Sequence, residues 1–336
     1  MKKAVIITLV IIVAIAGVVG AVSYDLWQFS IKAANSTAAE KSIIIRPGQT
    51  LSTTAARLRA EGLITSAPKF AWLARIKNYD KKLQAGEYAL SASMTPLELL
   101  EMMVKGTVKL HKLTIPEGFN IYQIAALVSA AGLATESEFL NLASDPATAQ
   151  KMGIDAASLE GYLFPDTYFF PKDVTVESMV AKMVDRFWEV FSEEWKKQAQ
   201  KMKLSIHQVV TLASIIEKET GAPDERPMIS SVFHNRLQKG MRLETDPTVI
   251  YGIKDFDGNL TRKHLDTPTP YNTYKIKGLP PGPIANPGFA ALEAALFPAD
   301  TPYLYFVSKK DHRHHFSKNL AEHNKAVQKY QLQRSR

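Results

Sequence analysis

The sequence predicts an α+β protein carried on a single N-terminal transmembrane helix, and three observations lead there. Ala4 to Val22 contains no charge, a strand and helix pattern recurs after 70 residues, and a late segment is dense in Pro, Gly, Asn and Tyr. Of 336 residues, 41 are Lys or Arg and 33 are Asp or Glu, so the net charge is +8, and there is no Cys. This composition excludes a disordered chain, a disulfide framework and a thiolate metal site. The basic surplus suits an acidic partner: nucleic acid, anionic lipid or a carboxylate-bearing polymer.

Met1-Lys2-Lys3 precedes the apolar run, whose only polar side chain is Thr8. Nineteen residues at ~1.5 Å rise span roughly 28 Å, close to the hydrocarbon thickness of a bilayer. The first charge beyond the run is Asp25, so the Lys pair places the N-terminus in the cytoplasm and the remainder outside. A cleaved signal peptide is the alternative. Its apolar region is usually shorter, and here the run leads into bulky Tyr24, Leu26 and Trp27. Export removes nucleic acid as a partner and leaves membrane lipid and extracytoplasmic polymer. Residues 1–28 are thus read as cytoplasmic stub and anchor, and the small polar stretch 29–41 as a linker.

Ile43 to Ile45 is a short strand, Pro47-Gly48-Gln49 a turn and Thr50 to Leu58 a helix. The unit returns from Leu113. Gly48 pairs with Gly118, Ala55-Ala56 with Ala125-Ala126, and Gly62-Leu63 with Gly132-Leu133, while Tyr88 and Thr95 are echoed by Tyr168 and Thr175 at an offset of 80. Ile45-Arg46-Pro47-Gly48-Gln49-Thr50-Leu51 with the following Ala55-Ala56 helix resembles the opening of LysM domains, βααβ modules that bind N-acetylated glycans. A LysM-like module over 42–106 follows, with a glycan-binding and a purely structural role both open. In the second copy an insertion leads to Leu159-Glu160-Gly161-Tyr162-Leu163-Phe164-Pro165-Asp166-Thr167-Tyr168. This cluster reads either as core or as an aromatic platform for sugar with Glu160 and Asp166 as hydroxyl acceptors.

Ser205 caps a helix from Ile206 that Gly221 stops. On a wheel of about 100° per residue, Glu217 falls near 20° from Ile206, inside the stripe of Val209, Val210 and Ala213. Glu219 falls near 220°, almost opposite, beside Lys218. An apolar setting raises a carboxyl pKa and suits a general acid, so Glu217 is the candidate. The competing reading pairs Glu217 with Arg226 or Arg236. Downstream, the segments 240–252, 267–274 and 278–288 read as rigid loops that could line a polymer cleft.

The strings Glu217-Lys218-Glu219-Thr220, Thr245-Asp246-Pro247-Thr248-Val249-Ile250-Tyr251-Gly252, Tyr271-Asn272-Thr273-Tyr274 and Gly278-Leu279-Pro280-Pro281-Gly282-Pro283-Ile284 resemble the endolytic murein transglycosylases, the YceG-like family. The resemblance covers nearly the whole chain in the same order and implies a catalytic domain over 110–330. It implies a single-pass inner-membrane lyase that cuts nascent peptidoglycan strands between N-acetylmuramic acid and N-acetylglucosamine, leaving 1,6-anhydro ends, beside peptidoglycan synthases. It places the catalytic Glu at the first Glu of the string, Glu217, acting as acid and then base. Tyr271, Asn272, Thr273 and Tyr274 are candidates to orient the sugar, with Asp246 and Glu160 as further contacts. Asp246 is otherwise a turn residue before Pro247, and the Tyr271–Tyr274 loop otherwise knits itself. The resemblance brings no cofactor and no metal, although His312, His314 and His315 form a tract; His314 and His323 match positions that support the cleft. A non-catalytic peptidoglycan-binding scaffold and a two-carboxylate muramidase are the alternatives.

Overall fold

The computed structural model describes residues 2–219, 222–311 and 313–332. The expected helix stop at Gly221, Thr220 of the acidic string and His312 of the histidine tract lie outside the described residues. The class is mixed α and β, with two compact units: 1–111 with 169–173, and 112–168 with 174–336.

In the first unit α1 (Lys2–Ile31) is one uninterrupted helix. It runs three residues into the stretch read as linker, because no breaker occurs there and Phe29 is buried in the unit's core. Among the described residues this is the one helix long and apolar enough to cross a membrane, and none of its most apolar window is buried in the protein. That pattern fits an anchor or a signal sequence. The order then runs β1 (Glu40–Ile45), α2 (Leu51–Ala60), α3 (Ala67–Ile76), β2 (Gly86–Ser91) and α4 (Pro96–Lys105). β1 and β2 pair antiparallel with Ile43 opposite Tyr88 and Ile45 opposite Gly86. Thr50, Ser66 and Thr95 cap the three helices, Thr95 with Glu98 in a capping box. Ile43, Ile45, Leu58, Phe70, Tyr88, Leu99 and Met103 meet in the core. Beside it, buried Glu87 accepts from the Ser42 hydroxyl, Lys109 and His111, and these bonds hold its carboxyl down at about 2.

From β3 the chain repeats the same sequence of elements, β3 and β4 each having residues in both units. β3 (Leu110–Thr114) leads to α5 (Ile121–Ala130), α6 (Glu136–Ala143), the added α7 (Pro146–Lys151), β4 (Thr167–Pro171) and α8 (Val176–Val190). The correspondence reaches individual bonds: the Tyr88 hydroxyl donates to Gln84 O at 2.8 Å and the Tyr168 hydroxyl to Phe164 O at 2.6 Å, each spanning four residues. Gly48 and Gly118 both take positive φ at the turn before the helix, a conformation that favours Gly. The extra residues between α6 and β4 hold α7 and the Glu160-Gly161-Tyr162 turn.

After α9 (Glu193–Lys201), α10 (Ile206–Glu219) forms the centre of the unit. Ser205 and Gln208 cap each other as a box at its start, and every residue from Val209 to Ile216 is buried. α11 (Arg226–Gln238), α12 (Asp246–Tyr251) and α14 (Phe289–Leu296) pack on it, with α13 (Arg262–Asp266) between α12 and α14 in the chain. The segment 240–252, read as loop, therefore contains a helix. Pro247 sits in its first turn, where the missing N–H costs nothing. From 267 to 288 the described backbone has no helix or strand. A hairpin of β5 (Tyr305–Ser308) and β6 (His314–Ser317), followed by α15 (Leu320–Val327), completes the unit.

Gly161 joins the aromatic turn to α10. Its φ is +89°, and a Cβ there would lie 2.5 Å from Pro283 Cγ and 2.7 Å from Val210 Cγ1. Gly161→Ala combines a strained backbone with overpacking, so chemical denaturation is expected to give an unfolding free energy lower by about 2–4 kcal/mol. An unchanged midpoint would contradict this packing.

Candidate active site

α10 ends in two acids that the backbone sends to different places. Glu217 is turned into protein: its side chain is 6% exposed, Oε1 lies 3.1 Å from Arg226 Nη2, and Oε2 accepts from Gly288 N–H at 3.0 Å. Glu117 lies against the same glycine, so close that a Cβ on Gly288 would strike its Oε1. Burial, then the Glu217 charge, pushes the Glu117 carboxyl up, and Arg226 opposes the shift. Lys218 donates to Gly118 O at 3.2 Å. Glu217 thus takes the Arg226 pairing that the wheel left as its alternative.

Glu219 forms part of the wall of a cleft of about 500 Å³, together with Asp246, Tyr274, Arg236, His314 and Tyr305. It accepts from the Thr245 hydroxyl. Burial raises its carboxyl above the ordinary range; the Thr245 bond opposes this, the Asp246 charge adds to it, and His314 and Arg236 oppose it. In the same wall the Tyr274 hydroxyl donates to Asp246 Oδ1 at 2.7 Å. The Tyr274 hydroxyl is pushed up by burial first and then by Asp246.

The cleft wall has its own support. Arg236 reaches under it and donates to Leu304 O at 2.7 Å and Leu243 O at 2.9 Å, with its guanidinium 4.9 Å from the Tyr305 ring centre. His323 stacks on the same Tyr305 ring, at 5.2 Å between ring centres. Glu225, 2% exposed, accepts from His314 N–H at 3.0 Å and lies 2.7 Å from His314 Nδ1, which fixes how the imidazole is presented. The partnership of Glu225 with His314 spans 89 residues and left no signal in the sequence.

The other candidates divide sharply. Asp246 and Tyr274 belong to the cleft. Tyr271 does not line it and packs on Tyr251 at 4.9 Å between ring centres. Asn272 is fully buried: its amide donates to Leu265 O at 3.1 Å and Thr267 O at 2.7 Å, and its carbonyl accepts from Tyr274 N–H at 2.9 Å. Thr273 is equally buried, its hydroxyl accepting from Thr245 N–H at 3.0 Å and pairing with Thr248 Oγ1 at 2.8 Å. Neither can touch a sugar. Both instead hold Tyr274 and Thr245, the residues that meet Asp246 and Glu219.

Glu160 is likewise corrected from substrate contact to buried strut. It is 2% exposed and accepts from Ile121 N–H at 3.2 Å, the Tyr251 hydroxyl at 3.0 Å and Asn286 Nδ2 at 3.0 Å. Asp166 is committed to Arg186 at 2.8 Å. Among the described residues no group of three or more His, Asp or Glu could hold a metal ion.

Burial pushes the Glu160 carboxyl up to about 7 against the hydrogen bonds it accepts. The unfolded chain then loses this proton near pH 4.5 while the native protein keeps it until about 7. Stability from this group is complete below 4.5 and declines as pH rises through 7, by up to about 3 kcal/mol. Unfolding curves of wild type and Glu160→Gln between pH 4.5 and 8 are expected to differ by this slope, the variant lacking the decline. Parallel profiles would contradict it.

The YceG-like family profile matches residues 43–329. A Bacillus subtilis protein named endolytic murein transglycosylase is 35% identical over 305 residues, covering 86% of this chain and 84% of its own length. A protein of the same name from Streptococcus pneumoniae is 30% identical over 302 residues, covering 80% of this chain, which spans about half (54%) of that longer relative. A crystal structure of a yceG-like protein from Listeria monocytogenes is 37% identical with a TM-score of 0.60, covering 86% of this chain and all of the other.

Proposed function

The chain belongs to the YceG-like family, and from that premise we propose that it is a membrane-anchored endolytic lytic transglycosylase of peptidoglycan. α1 is the anchor with its N-terminus in the cytoplasm, residues 42–106 serve as the LysM-like module and 110–330 as the catalytic domain, working beside peptidoglycan synthases. The observation that carries the reading is a carboxyl held toward its protonated form in the wall of a cleft bordered by Asp246 and Tyr274: Glu219. We therefore assign the acid to Glu219 in place of Glu217, whose carboxylate is occupied by Arg226 and Gly288 N–H.

In this mechanism the Glu219 proton passes to the glycosidic oxygen between N-acetylmuramic acid and N-acetylglucosamine as the C–O bond breaks. The resulting carboxylate then takes the proton of the muramoyl 6-hydroxyl while that oxygen bonds to the anomeric carbon. No second nucleophilic carboxylate is required, since the hydroxyl is already part of the substrate and the ring closure is intramolecular. Asp246, fixed by Tyr274, faces the same cleft and lends negative charge to an oxocarbenium-like transition state. Its presence there also supports a second reading, a two-carboxylate muramidase in which Asp246 activates water.

Digestion of sacculi followed by mass spectrometry of the muropeptides separates these. Anhydro ends are expected from the wild type, with turnover reduced about 10²–10⁴-fold in Glu219→Gln. Glu217→Gln is expected to keep a larger share of activity and to lose stability. An active Glu219→Gln protein beside an inactive, folded Glu217→Gln would return the acid to Glu217; reducing ends in place of anhydro ends would favour the muramidase.

A further inference from the structure

The first unit carries an apolar cavity of about 700 Å³ with no role in the cleft chemistry. One side is α1 from Val18 to Ile31; the other is the outer face of α3 with Trp72, Leu73 and Ile76, closed by Leu97 of α4. Val18, Val19 and Val22 belong to the uncharged run read as membrane-spanning. Val18 lies four residues, ~6 Å along the helix, inside the end of that run. The α3 face therefore borders the anchor at a depth where the surroundings are hydrocarbon.

The exposed side chains agree with such surroundings. Trp72 is 55% and Ile76 63% exposed, and on α1 Tyr24 is 62% and Trp27 53% exposed. Together they form a band of two indoles, one phenol and aliphatic groups, the composition that favours the boundary between headgroups and acyl chains. The only acid on this part of α1, Asp25, is paired with Lys69 at 2.7 Å, so no unpaired carboxylate enters the band from α1. Lys77 lines the same cavity, and Arg75, Lys77, Lys81 and Lys82, close to Ile76 in the chain, are all exposed, with Asp80 the one acid among them. Long basic side chains at the rim of an apolar face can extend their charges to headgroups.

Resting on the reading that α1 spans a membrane, we propose that the α3 face bearing Trp72 and Ile76 is seated in the adjoining lipid leaflet, with anionic headgroups held by Arg75, Lys77, Lys81 and Lys82. The unit is then a lipid-bound platform at the membrane surface, continuous with its anchor along the α1 to α3 wall.

The chain has no Cys, so single nitroxide labels can be placed without background. The full chain carrying Val13→Cys, Trp72→Cys, Ile76→Cys or Arg59→Cys is reconstituted into vesicles of phosphatidylethanolamine and phosphatidylglycerol. Relaxation by oxygen is compared with relaxation by a water-soluble nickel chelate. Labels at 13, 72 and 76 are expected to favour oxygen, and the label at exposed 59 to favour nickel. Nickel-dominated relaxation at 72 and 76 with oxygen-dominated relaxation at 13 overturns the inference and leaves the anchor intact. Nickel dominance at 13 overturns the anchor and the inference together. Protection of 72 and 76 from both reagents would mean that a second copy or another protein covers the face, and also overturns it. In vesicles of phosphatidylcholine alone, position 76 is expected to read shallower; an unchanged depth overturns the headgroup contribution.

Discussion

Eight consecutive residues of α10, Val209 to Ile216, are buried, and this removes any solvent face from the middle of the helix that ends in the acidic string. α9, α11, α12 and α14 surround it. A helix enclosed in this way can carry charge only where it emerges, and Glu217 and Glu219, set about 200° apart, emerge on different sides. One side offers a guanidinium and a backbone N–H, which hold a carboxylate. The other offers a threonine hydroxyl and the negative charge of Asp246, at the helix end whose dipole also disfavours anions. The same chain direction thus separates a carboxyl bonded to Arg226 and Gly288 from one that burial and the Asp246 charge push up.

The cleft depends in turn on a segment, 267 to 288, that has no regular structure and is nevertheless buried at Asn272, Thr273 and throughout 282–288. Buried backbone without a helix or sheet must find its hydrogen bonds elsewhere, and short polar side chains supply them. Asn272 closes three carbonyls and one N–H; Asn286 bonds Phe119 O, Glu160 and Leu163 N–H; Ser214 receives Ile284 N–H. Glu160 joins this network from the aromatic turn. Losing one member would orphan several others, so these residues are costly to alter although none meets the cleft.

That network explains where the sequence was legible and where it was not. The capped helix at 206, the apolar N-terminal helix, the positive-φ glycines at 48 and 118 and the repeated order of elements all express local rules, and local rules act within a few residues. The choice between Glu217 and Glu219 does not. A helical wheel counts neighbours on the same helix, whereas the surroundings of these acids come from Arg226, Gly288, Thr245 and Asp246. In the Tyr271–Tyr274 string the residue types suited to sugar recognition are also those suited to satisfying buried backbone. Burial, invisible in one sequence, assigns Asn272 and Thr273 to the second task, and of the four residues Tyr274 is the one that borders the cleft.

The positions of Asp246 and Tyr274 bear on how one carboxyl can serve both halves of the proposed reaction. The first half needs a proton retained at the pH of the medium, the second a base able to take one from an alcohol. Negative charge at Asp246 favours both, since it makes proton loss from Glu219 harder and makes the resulting carboxylate a stronger base. Tyr274 holds that charge in place through its hydroxyl, and Asn272 holds Tyr274 through its backbone N–H. The acid and its tuning charge are thus linked through Thr273, which binds the Thr245 backbone immediately before Asp246. A displacement of this loop shifts Asp246 and the Thr245 hydroxyl together, so the two neighbours that act on the Glu219 carboxyl in opposite directions are held by one structural element.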